Sequence, residues 1–255
     1  MSGQHVSAAG LRIYFEEYGE GKPLLFLHGG LCTIETFSKQ VPVFLKHYRV
    51  LLPERRGHGR TPDVGGEFTY EVMVDDTIAF MDAMDLNDSV LVGHSDGANI
   101  ALAVAVSRPD LVSKIVAISG TFSPDNLTPE ERNTMRSWGP EDLRRFLPKL
   151  VADYERYTPD GQRQYPVVCP KVLKMWTSDW ELTAEQLGSI ARPTLIMSAD
   201  RDLVPLHHTL KLFEAVPKAE LCIAPGATHF LISEKPRFAN DVILDFLSAA
   251  PKEES

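Results

Sequence analysis

The chain has 255 residues, enough for one sizeable domain carrying an insertion without requiring two. Its 44% hydrophobic and 24% charged residues are those of an ordinary globular protein, and no stretch reaches the roughly 20 apolar residues of a membrane span. A net charge of −9, with acids and bases mixed along the chain, disfavours a polyanionic partner such as nucleic acid.

The first residues, Met1-Ser2-Gly3-Gln4-His5, carry no charged segment followed by an apolar one, so no secretory signal is read there and a cytoplasmic protein is expected. Leu11 to Glu16 alternates apolar and mostly polar positions, as a strand with one wetter face does. After a glycine-rich turn, Leu24 to Leu27 is continuously apolar, the mark of a central parallel strand covered on both sides. Similar runs follow at Tyr48–Leu52, Ser89–Val92, Lys114–Ile118, Pro193–Met197 and Glu220–Ala224. Helical patterns separate them. Val74, Ile78 and Met81 recur at helical spacing behind the cap Thr69, Ala98 to Val106 is a small-residue apolar run, and Phe238, Val242 and Phe246 mark a last helix. This alternation predicts an α/β fold, a mostly parallel central sheet with helices on both faces. From Thr121 to Ala191 no strand pattern is found and the apolar spacing is helical, with Trp138, Trp176 and Trp180 among its large aromatics. The expected organisation is therefore a core of residues 1–120 and 192–255, with 121–191 a helical lid. Cys32, Cys169 and Cys222 are far apart with no CxxC spacing, which suggests small buried thiols and neither a disulfide framework nor a zinc site.

The strongest local signal is Gly93-His94-Ser95-Asp96-Gly97 between an apolar strand and a helix. In that context a G-x-S-x-G sequence forms a sharp turn that exposes the serine hydroxyl at the carboxyl edge of the sheet. A hydroxyl is a poor nucleophile at neutral pH and needs a base, which in turn needs an orienting group. Of eight histidines, His229 is the best base, lying in a glycine-containing loop between the last strand and the final helix. The acid should follow the preceding strand, where Asp200 and Asp202 are both available. Backbone donors for a developing oxyanion are expected from the amide of Asp96 and from His28-Gly29-Gly30-Leu31. The Asp96 side chain can either bind a substrate cation or face structural partners, and the second reading is favoured.

Over nearly its whole length outside the lid, the chain resembles the α/β-hydrolase superfamily, specifically its lidded serine esterase and lactonase-like members. The resemblance rests on Leu27-His28-Gly29-Gly30, on Glu54-Arg55-Arg56-Gly57-His58-Gly59-Arg60-Thr61, on the Ser95 turn, on the Asp202 region and on the His229 loop. Glu54 and Thr61 stand where relatives usually have Asp and often Ser, and Ala199 stands in a glycine place. The resemblance implies a helical lid inserted after the sixth strand, Gly30 as the second oxyanion donor and, by the Gly-x-x-Asp register, Asp202 as the acid with Asp200 as the alternative. The implied activity is hydrolysis of a carboxylic ester or lactone through an acyl-serine, with no metal or organic cofactor. The aromatic residues of the lid suggest a sizeable, apolar small-molecule substrate, with Leu31, Trp138, Trp176, Trp180 and Phe230 as its expected contacts. The same residues also support carbon–carbon bond hydrolysis or perhydrolysis, or a slow-turnover ligand receptor.

Overall fold

The computed structural model describes residues 3–249; Met1 and Ser2, part of the segment read for a secretory signal, and the last six residues of the expected core lie outside the described residues. Eight strands form one sheet: β1 (Gln4–Ala8), β2 (Leu11–Tyr18), β3 (Pro23–Leu27), β4 (Arg49–Pro53), β5 (Ser89–His94), β6 (Val112–Ile118), β7 (Thr194–Arg201) and β8 (Ala219–Thr228). Their order across the sheet is β1-β2-β4-β3-β5-β6-β7-β8; β2 pairs antiparallel with both β1 and β4, and the other pairings are parallel. The hairpin strand β1 was not legible in the sequence, because its only apolar alternation, Val6 and Ala8, is too short to stand out and its other residues are exposed. β8 runs on past the predicted Ala224 to Thr228, where Arg201 pairs with it beyond an irregularity in the ladder.

The central strands carry unbroken apolar runs because both faces are covered there, and consecutive residues feed opposite layers. Leu25, Leu27, Leu91, Ile115, Ala117 and Ile196 belong to one apolar layer, whereas Leu24, Phe26, Val92, Val116, Ile118 and Met197 belong to the other. The first layer is closed by α2 (Tyr70–Ala83), α3 (Asp96–Ser107) and α9 (Leu206–Ala215). The second is closed by α1 (Val41–Phe44), α10 (Leu231–Glu234) and α11 (Pro236–Ser248). Thr69 caps α2, its hydroxyl accepting the Val72 amide at 3.2 Å.

Between β6 and β7 the chain forms α4 (Pro129–Arg136), α5 (Pro140–Phe146), α6 (Pro148–Tyr157), α7 (Gly161–Trp176) and α8 (Ala184–Gly188). Proline opens α4, α5 and α6, where a missing amide hydrogen costs nothing, and Thr128 and Thr183 form capping boxes with Glu131 and Gln186. These helices dock on the first layer through Leu143, Val151, Tyr154, Tyr165 and Val172. The Tyr154 hydroxyl donates to the Gly57 carbonyl at 2.7 Å, tying α6 to the turn after β4. The three cysteines are unpaired thiols, Cys169 fully buried.

Phe26 on β3 is fully buried between Phe37 and Phe44, with ring centroids at 4.5 and 5.6 Å. Phe26→Ala is expected to destabilise the protein by about 3–5 kcal/mol in chemical denaturation, from lost transfer energy and an unfilled cavity.

Candidate active site

Ser95 sits at the junction of β5 and α3 with φ 56° and ψ −122°, a conformation a non-glycine residue holds only when its surroundings impose it. The imposition is visible on both sides. A Cβ at Gly97 would run into the Leu27 carbonyl, and one at Gly93 into the backbone of Gly97 and Ala98, so strand and helix close on the turn only with glycine at both places. The Ser95 amide donates to the Ile118 carbonyl at 2.8 Å, which fixes the turn against β6.

The loop after β8 brings His229 to this serine: the hydroxyl donates to Nε2 at 3.0 Å, and Nδ1–H donates to Asp202 Oδ1 at 2.7 Å. Asp202 also accepts Ser119 Oγ–H at 2.6 Å, Ser198 Oγ–H at 3.0 Å and the Val204 amide at 3.0 Å. Burial opposes its ionisation, but the hydrogen bond from His229, with those further donors, holds its carboxyl far below the usual carboxylate range. Asp200 is turned away: its exposed carboxylate accepts the Gly226 and Ala227 amides at 2.8 and 3.3 Å, closing the β8 loop. Ser119 and Ser198 were not legible as partners of Asp202, since nothing in their local sequence separates them from other strand-end serines.

His94, adjacent to the nucleophile candidate, is buried and donates from Nε2 to the backbone carbonyl of His229 at 2.7 Å. Burial above all pushes its pKa down to about 4, so it stays neutral and holds the His229 loop. His28 and His58 act as a second such pair. His58 Nε2 accepts the Leu31 amide at 3.0 Å while Nδ1–H donates to the Arg56 carbonyl. His28 Nε2 accepts the Arg55 amide at 3.2 Å while Nδ1–H donates to the Gly29 carbonyl. The loops after β3 and β4 are thereby cross-linked, and Gly30 is set against the Ser95 turn. Neither the Gly30 nor the Asp96 amide donates to an acceptor among the described residues. His208 is fully buried on α9 and stacks on Phe122 at 4.4 Å.

A cavity of about 370 Å³ opens over Ser95, His229 and Gly30. Trp138, Trp176, Trp180 and Phe230 lie in its wall, contributed by the region between β6 and β7 and by the His229 loop. Leu31 does not, which corrects the sequence expectation. At φ 54°, with its amide tied to His58, it places its side chain fully inside the core layer of Leu25 and Leu27. Asp96 reaches the cavity wall but its carboxylate is already engaged by Tyr70 Oη–H at 2.9 Å and Trp176 Nε1–H at 3.0 Å. No lysine or arginine lines the cavity among the described residues.

Two outcomes follow from the histidines. His94→Ala is expected to lower kcat on an activated ester about tenfold with little change in KM, because it frees the loop that carries His229. The second concerns pH. Burial, reinforced by the Arg55 charge, lowers His58 from an ordinary 6.5 to about 3, and His28 is lowered likewise. The unfolded chain takes up these protons below about pH 6.5, whereas the folded chain refuses them until the pH falls much further. Their contribution to stability is thus complete above pH 6.5 and lost as the pH falls through the folded values, at up to about 1.4 kcal/mol per unit for each group. Melting temperature should fall steadily from pH 6.5 to 4, and His58→Gln should flatten that slope.

Residues 24–242 match the model of the Alpha/beta hydrolase family. Among curated proteins the chain is 33% identical to the non-heme chloroperoxidase of Streptomyces lividans, over 97% of this chain and all of the relative. It is 25% identical to the 2-hydroxymuconate semialdehyde hydrolase of Pseudomonas sp. strain CF600, over 97% of this chain and 94% of that protein. Among solved structures it superposes on a meta-cleavage product hydrolase from Pseudomonas fluorescens IP01 with a TM-score of 0.82, at 23% identity, covering 96% and 97% of the two chains.

Proposed function

The chain belongs to the alpha/beta hydrolase family, and from that premise we propose that it is a serine hydrolase cleaving a sizeable, uncharged, apolar ester or lactone through an acyl-serine intermediate. The observation that carries this reading is the unbroken hydrogen-bonded line from Ser95 through His229 to Asp202, opening into a largely apolar cavity of about 370 Å³.

In this mechanism His229 Nε2 takes the Ser95 proton as Oγ attacks the acyl carbon, and the imidazolium is stabilised by ionised Asp202. The Gly30 and Asp96 amides receive the oxyanion. His229 then protonates the leaving alkoxide, and a water activated by the same imidazole releases the acid and restores Ser95. Residues 121–191 serve as the lid over the acyl group, with Trp138, Trp176 and Trp180 as its apolar lining. No step calls for a metal or organic cofactor.

The same three residues also support carbon–carbon hydrolysis, and one relative is named for 2-hydroxymuconate semialdehyde, a substrate that bears a carboxylate. With no lysine or arginine among the described residues of its wall, the cavity offers such an anion no cationic partner, which favours the ester or lactone. The test is a panel of nitrophenyl esters from acetyl to decanoyl, together with aliphatic lactones and a muconate-type dienoate. We expect kcat/KM to rise with acyl size, the dienoate to be left intact, and Ser95→Ala to lower turnover by about 10⁴–10⁶. Preference for acetyl esters would remove the large-pocket reading. A stoichiometric burst without turnover would replace the enzyme by a receptor.

A further inference from the structure

The amide of Asp96 is one of the two donors proposed for the oxyanion, yet its own carboxylate lies in the same cavity wall. A negative charge one residue from a forming negative charge raises the barrier for acyl transfer unless something neutralises it. The surroundings of Asp96 supply that neutralisation from three directions. Tyr70 Oη–H donates to Oδ1 at 2.9 Å, Trp176 Nε1–H lies 3.0 Å from both oxygens, and Arg55 Nη1 stands 3.8 Å from Oδ2.

Arg55 is the unusual member. Its side chain is 4% exposed, and none of its three guanidinium nitrogens makes a hydrogen bond. A buried cation in that condition is costly and adds nothing to packing that an apolar side chain would not. Among the described residues the carboxylate of Asp96 is the only one within 4 Å of it. Gly30 completes the geometry: a Cβ there would meet Asp96 Oδ2 at 2.5 Å and Trp176 Cζ2 at 2.6 Å, so carboxylate, indole and oxyanion loop converge at one point.

We propose that Arg55 and Trp176 are positioning residues, which fix the Asp96 carboxylate beside the oxyanion loop and neutralise its charge there, so that it does not oppose the oxyanion that forms at the adjacent amide. The inference rests on the reading of Ser95 as nucleophile. It also gives the indole of α7 an electrostatic task besides lining the cavity, and it leaves Asp96 unavailable to a substrate amine.

The experiment compares Arg55→Met, Trp176→Phe and each of these combined with Asp96→Asn in the full-length protein. Turnover of a nitrophenyl ester is normalised to active sites titrated with a phosphonate. Arg55 does not line the cavity, so Arg55→Met should lower kcat about 10- to 100-fold while KM moves less than about threefold. Trp176→Phe keeps the ring and removes the donor, and should lower kcat about tenfold. Adding Asp96→Asn removes the repelling charge and should recover most of the loss in either background. Wild-type kcat in both single variants, or no recovery in either double variant, overturns the proposal. If Arg55→Met fails to fold, the Trp176 pair decides it alone. Undiminished turnover in Ser95→Ala would instead overturn the nucleophile assignment, which keeps the two failures distinct.

Discussion

The Leu27 carbonyl and the Gly97 backbone lie so close that no side chain fits between them. That contact sets the distance at which β3, β5 and α3 meet, and the other features of the site follow from it. Because helix and strand approach this closely, the single residue turning between them is driven to φ 56°, and the hydroxyl of Ser95 is lifted out of the sheet edge. Because β3 ends beside the same turn, the Gly29–Gly30 backbone comes against the Ser95 turn. Conformational strain of about 1–3 kcal/mol at one residue is held by the two apolar layers that close on either side of the sheet.

Around that rigid centre the loops are held by neutral histidines. An uncharged imidazole offers one donor and one acceptor, which suits it to joining an amide on one loop to a carbonyl on the same or another. His28 and His58 do this between the loops after β3 and β4, whereas His94 uses its donor alone, tying the serine turn to the loop of His229. Each is buried, and burial keeps it neutral. His94 and His229 both line the cavity, but of the two only His229 has a carboxylate on one side and a hydroxyl on the other. The same chemistry is thus used for two purposes, and what differs is the partner set and the access to the cavity.

Asp202 and Asp200 illustrate how two neighbouring carboxylates separate. They are two residues apart, yet one gathers four donors in the protein interior and the other staples a surface loop. Two of the donors to Asp202 come from Ser119 on the β6 end and Ser198 on β7, positions that adjoin only because β6 and β7 pair in parallel. Asp96 belongs with them. Its place beside the nucleophile is a fact of sequence, but its engagement with Tyr70, Trp176 and Arg55 depends on three separate segments arriving at one point.

By itself the sequence determined the α/β class, the central strands and the serine turn, because unbroken apolar runs and a G-x-S-x-G between strand and helix have few other physical uses. It also placed Ser95, His229 and the pair Asp200/Asp202 at strand ends in an order that one fold accommodates. The exposed hairpin strand β1, the burial of Leu31 and of His208, and the serines that bind Asp202 were decided only by the tertiary structure. The burials and the Ser119 contact depend on residues distant in the chain, and the short β1 and the strand-end Ser198 carry too little local pattern to stand out. The serine turn can be read locally because its strain is set by adjacent residues, whereas the charge balance around it is settled by packing.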